Sequence, residues 1–163
     1  AASSPKANVE QGRDLMQMLG SCRTLPRRRE LLCAKKVLSG YVAELEPLLP
    51  QLDTRIGEHR LEIANQEANV RRLESELAQL DGALKSPQLT SSNRQEMSQR
   101  AIETRVHIAA RKWNIMRDRT AIQEKEPMLQ DARRSLTIAK QALQQVQEEL
   151  EPRSQPLDMP TRR

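Results

Sequence analysis

Phenylalanine is absent from this sequence, and tryptophan and tyrosine occur once each, as Trp113 and Tyr41. Globular cores draw much of their buried area from aromatic side chains, so a thick core is excluded for these 163 residues. Long apolar runs are missing as well. None approaches the ~20 residues that a bilayer-spanning helix takes. Segments of alternating β-branched and aromatic residues are also lacking, which removes the signal for strands. Cysteine is scarce, with only Cys22 and Cys33. One pair is not a disulfide framework. On one straight helix a rise of ~1.5 Å per residue would hold the two roughly 16 Å apart, so both are expected as reduced thiols. Residues Ala1 to Glu10 do not show the basic-then-apolar pattern of a secretory signal. These features read as a cytoplasmic chain with no membrane span.

The chemistry of enzymes is missing too. There is no Gly-rich phosphate loop, no Cys/His pair at workable spacing and no cluster of metal ligands. The two histidines, His59 and His107, belong to different segments. In the pairing derived below they lie about twelve residues, or roughly 18 Å, apart along the helices. No catalytic, metal-ligating or cofactor-binding residue is therefore expected, no cofactor is expected, and the chain is read as a non-enzyme.

What is present is material for helices. Leu, Ala, Glu, Gln and Arg dominate, and charged residues make up 30%, a mix found in coiled coils and long helices. Residues 1–7 are small and polar and are expected to be disordered. Residues 8–22 form a short helical candidate, stopped at Thr24-Leu25-Pro26 because proline disfavours helix in the residue before it. Pro26 can open the next helix.

A heptad series follows. Val42, Leu49, Ile56, Ile63, Val70, Leu77 and Leu84 recur every seven residues, interleaved with Leu38, Leu45, Leu52, His59, Gln66, Leu73 and Leu80. Apolar heptads sustained this long argue for a coiled coil. Pro47 and Pro50 interrupt the helix without changing the phase of the series, so the first long helix is expected over 27–85 with a kink or break at 46–50. Pro87 ends it. Residues 86–91 form a turn, and Ser92 with Gln95 resembles a capping box that starts the second long helix, 92–151. That helix carries its own series: Ile108, Ile115, Ile122, Leu129, Leu136, Leu143 and Leu150. Pro127 should kink it. Residues 152–163, with Pro152, Pro156 and Pro160, read as a flexible tail.

The two series fit one another. When the chain is folded near residue 89, opposing residue numbers add to 178, so that Ile56 faces Ile122, Ile63 faces Ile115 and Val70 faces Ile108. The expected fold class is all-α: an elongated antiparallel two-helix coiled-coil hairpin with a short extra N-terminal helix and flexible tails. Each buried leucine-type side chain contributes ~2 kcal/mol, while ordering a residue costs ~1–2 kcal/mol. A single seam is thus marginal, and order gained on binding a partner is expected. Whether residues 8–46 pack on the hairpin is left open by the sequence.

Three features stand outside the seam pattern. His59 and Gln66 occupy consecutive polar positions of it, either as interruptions that tune register or as a partner-contact or pH-sensitive spot. Arg27, Arg28, Arg29, Lys35 and Lys36 concentrate positive charge within 21–40, where Arg23 adds to it and Glu30 is the lone acid. Three of them open a helix, where positive charge opposes the macrodipole. The patch is either a solvated cluster or a contact for an acidic protein surface. Nucleic acid is disfavoured because no aromatic lies nearby to stack on bases. Trp113, two residues before Ile115, is expected at the edge of the core. Were it exposed, it would be a candidate binding hot spot.

A small, basic, aromatic-poor chain with heptads over 27–150 resembles the coiled-coil stalk proteins of bacterial type III secretion and flagellar export ATPases. The resemblance is architectural and rests on no specific motif. It implies a stalk or accessory subunit for protein transport that is peripheral to a membrane-bound complex. The implied partners are a hexameric ATPase, export-gate components and export chaperones. Pro26, Pro47 and Pro50 depart from a smooth rod. The competing expectations are a coiled-coil scaffold or tether that oligomerises, and a nucleic-acid-binding helical protein using residues 21–40.

Overall fold

The computed structural model describes residues 15–151. The expected disorder of 1–7, the start of the helix expected over 8–22, and the tail 152–163 lie outside that range. About 91% of the described residues are helical and none is in a strand, so the class is all-α. The elements are α1 (residues 15–22), α2 (Arg27–Leu45), α3 (Leu48–Leu84) and α4 (Ser91–Leu150).

Local chemistry sets each boundary. α1 closes in tight backbone turns, with the Leu25 N–H donating to Cys22 O at 3.1 Å. The Thr24 hydroxyl donates to Ser21 O at 2.9 Å. Pro26 then takes an extended conformation (φ −57°, ψ 151°) as the N-cap of α2, and no side chain caps that end. Its carbonyl accepts the Glu30 N–H at 2.8 Å, as a helix start requires. Between α2 and α3 only Glu46 and Pro47 leave the helix. Pro50 falls in the first turn of α3, where a missing N–H costs nothing because no intrahelical acceptor awaits it.

The turn before α4 is capped differently from the sequence expectation. Thr90, rather than Ser92, is the capping residue, its Oγ1 accepting the Asn93 N–H at 3.2 Å. Arg94 then reaches back and donates to the carbonyls of Leu84 and Ser86, holding carbonyl groups left over at the end of α3. α4 runs as one helix of 60 residues with Pro127 inside it. Pro127 removes the N–H that would bond Gln123 O, and the helix continues on both sides.

The chain divides into two compact units. Of the described residues, the first comprises 15–53 together with 127–151. Its core joins Leu38, Val42 and Leu45 of α2 to Ala132, Leu136 and Ala139 of α4. The alanines of α4 leave room for the leucines of α2, and Leu15 and Leu19 of α1 pack against the same cluster. Arg27–Glu149 at 2.8 Å and Glu46–Lys140 at 3.4 Å show that α2 and this part of α4 run antiparallel.

The second unit is Thr54–Glu126. Its core is Val70 and Leu73 of α3 against Ile108 and Ile115 of α4, with Ile63 and Leu77 packed on it. Four ion pairs flank that core: Arg60–Glu126, Glu67–Arg119, Glu74–Lys112 and Asp81–Arg105. One index rises by seven as the other falls by seven, so each pair adds to 186. Only antiparallel helices give that pattern, and a step of seven keeps each charge on the same edge of the interface.

Candidate interaction surfaces

The expected seam residues are all withdrawn from solvent. Val42, Leu45, Leu52, Ile56, Val70, Leu73, Ile108, Ile115, Leu129 and Leu136 are buried. Leu49, Ile63, Leu77, Leu80, Leu84, Ile122, Leu143 and Leu150 are half-buried. Ala132 and Ala139 are buried beside them.

Inside the second unit the seam carries a polar layer. His59 Nδ1 lies 2.8 Å from Asp118 Oδ1, and Arg111 donates to Gln66 Oε1 at 2.9 Å. Gln66 in turn donates to Glu62 at 2.8 Å. A carboxylate oxygen only accepts, so the imidazole Nδ1–H is the donor to Asp118. Asp118 is buried, at 7% exposure, and among the described residues its Oδ2 has no hydrogen-bond partner. Asp118 and Arg111 lie outside the residues that the heptad pattern singles out. The signal was there: stepping back by sevens from Ala139 and Ala132 gives Lys125, Asp118 and Arg111. The polar positions of one helix therefore oppose those of the other.

The basic residues of α2 do not behave alike. Arg27 bonds Glu30 and Glu149, both at 2.8 Å. The hydrogen bond to Glu30 and the charge of Glu149 raise its pKa above the ordinary arginine value. Arg28, Arg29, Lys35 and Lys36 are exposed, and among the described residues no carboxylate is paired with them. Leu32, 46% exposed, lies on the same helix between them. The only aromatic on α2 is Tyr41, half-buried against the core.

Two expectations are overturned. The first concerns the cysteines. Cys22 and Cys33 form a disulfide with Cα atoms 5.6 Å apart, rather than remaining reduced thiols on a straight helix. The chain reverses at Thr24–Pro26, so the ends of α1 and α2 lie side by side. The bridge holds α1 against the core of its unit, with Cys22 itself buried. The second concerns Trp113, which is 60% exposed and not at a core edge. The Arg117 guanidinium sits 5.3 Å from its ring centroid, a cation–π contact.

No group of three or more His, Cys, Asp or Glu side chains is placed to hold a metal among the described residues. No helix among them is long and apolar enough to cross a membrane. The chain matches no protein-family model, no curated protein and no solved structure.

Proposed function

We propose that this protein is a non-enzymatic protein–protein interaction subunit. In this reading α3 and α4 form an antiparallel coiled coil, and the basic face of α2 receives an acidic protein partner. One observation carries the proposal. Among the described residues six Arg or Lys side chains pair with carboxylates across the helix interfaces, whereas Arg28, Arg29, Lys35 and Lys36 are exposed and unpaired. Helix-start positive charge opposes the macrodipole, so a role outside folding explains its presence better than stability does. Nucleic acid is the weaker occupant, because α2 exposes no aromatic side chain for stacking.

The narrower reading is a stalk or accessory subunit of a type III secretion or flagellar export ATPase. Helices of 37 and 60 residues favour it. The Cys22–Cys33 bridge weighs against it, since disulfides persist in oxidising compartments and are rare in the cytosol, where such a subunit would work. The test is co-purification from native cells with Arg28, Arg29, Lys35 and Lys36 together changed to Glu. Salt-sensitive loss of bound protein, with helicity by circular dichroism unchanged, supports the reading. Unchanged capture removes the basic face from it, and binding to RNA or DNA that weakens steeply with salt replaces it. Stimulation of a co-purified ATPase would select the stalk reading.

A further inference from the structure

In the second unit α4 has two apolar faces, and α3 covers only one. Ile108 and Ile115 point into the core. Ile102, Val106, Trp113 and Met116 are 53%, 60%, 60% and 65% exposed, and Ala109 between them is exposed too. At ~100° per residue these five fall within an arc of roughly 80°, centred about 130° around α4 from Ile108 and Ile115. Their spacing is four, three, four, three. That alternation is the seam of a coiled coil, not scattered surface apolarity, so the fitting occupant is another helix.

The stripe is complementary to itself. With a second α4 laid antiparallel so that opposed residue numbers add to 222, Ala109 meets Trp113, Val106 meets Met116 and Ile102 meets Thr120. Every large side chain then faces a smaller or more flexible one, and the set repeats under a two-fold axis. Charge agrees. Glu103 of one chain comes within ~3 Å, along the axis, of the level of Arg117 of the other, twice by symmetry. On the opposite edge Arg105, Lys112 and Arg119 are already paired to Asp81, Glu74 and Glu67 of their own chain, so the two copies do not present unneutralised like charge there.

We infer that this face of α4 binds a second copy of the same chain, antiparallel, with Trp113 seated on the partner's Ala109. The contact spans about five turns, which is small for a stable interface, so the dimer is reversible. The inference deepens the interaction-subunit reading and rests on it. A monomer that still captures a protein through α2 would keep that reading and discard this surface.

Sedimentation equilibrium of the full chain, from micromolar to about 1 mM, tests the inference together with the emission of its sole tryptophan. The expected result is a concentration-dependent dimer with a parallel blue shift. Val106→Glu and Trp113→Ala should each weaken it at least about tenfold at unchanged helicity. Chains carrying Val106→Cys and Met116→Cys, mixed and oxidised, should cross-link to each other more readily than either does to itself. A monomer throughout, a dimer indifferent to both substitutions, or preferential self-linking by Val106→Cys would each overturn the inference.

Discussion

His59 on α3 and Asp118 on α4 meet at 2.8 Å between the apolar residues that line the two helices, and among the described residues the second carboxylate oxygen of Asp118 has no hydrogen-bond partner. A hydrogen bond from an imidazole to a buried carboxylate contributes modestly to net stability, but removing the donor strands the acceptor. Its best-attested use is to fix register.

His59→Leu alone should therefore destabilise the fold by about 1–3 kcal/mol, since Asp118 keeps its burial and loses its donor. The double change His59→Leu with Asp118→Leu should return to within about 1 kcal/mol of the wild type or exceed it. Urea unfolding followed by circular dichroism decides between these outcomes. Additive losses in the double variant would remove the pair from its assigned role.

The flanking ion pairs are exposed, and each is worth about 0.2–1 kcal/mol at most. Changing Glu67, Glu74 and Asp81 together to Lys sets like charges opposite Arg119, Lys112 and Arg105. The melting temperature should fall at low salt and recover partly at ~1 M salt, where the Debye length shrinks to ~3 Å. Reversing the three basic partners as well should restore it.

Reduction of the Cys22–Cys33 bridge opens a loop of eleven residues, which in the chain-entropy treatment releases about 3 kcal/mol of constraint. Among its described residues α1 sets Leu15 and Leu19 against the core. Amides of 15–22 should thus lose most of their hydrogen-exchange protection in reductant, while those around Val70 and Ile108 keep theirs. Equal loss everywhere would mean that α1 is not an appendage of the first unit.

Ile56 is among the largest fully buried side chains, at 2% exposure, whereas Leu61 on the same helix is 64% exposed. Ile56→Ala should cost about 2–5 kcal/mol and Leu61→Ala under about 0.5 kcal/mol. Thermal unfolding of the two variants measures the contrast.

The helices were legible from the sequence because a period of seven survives both proline interruptions. From Val42 to Leu84 the phase never changes, and the observed α2 and α3 share it. The ladder adding to 186 was written in the charges but calls for a register before it can be seen. The disulfide is not legible in helical spacing, because the chain reverses before Pro26 and brings the Cα atoms of Cys22 and Cys33 to 5.6 Å. The nearness of Trp113 to Ile115 in the chain suggests a core edge. Its spacing from Val106 and Ile102 places it instead on the far side of α4.

The coiled coil of α3 with α4 and the free apolar face of α4 both depend on the two helices of one molecule lying antiparallel in the second unit. Spin labels at Glu74 and Lys112, whose side chains pair at 3.6 Å, measure this directly. The pairing predicts one narrow, short distance, consistent with helix axes about 8–10 Å apart and unchanged by dilution with unlabelled protein. A broad distribution, or a short distance that disappears on dilution, would contradict it.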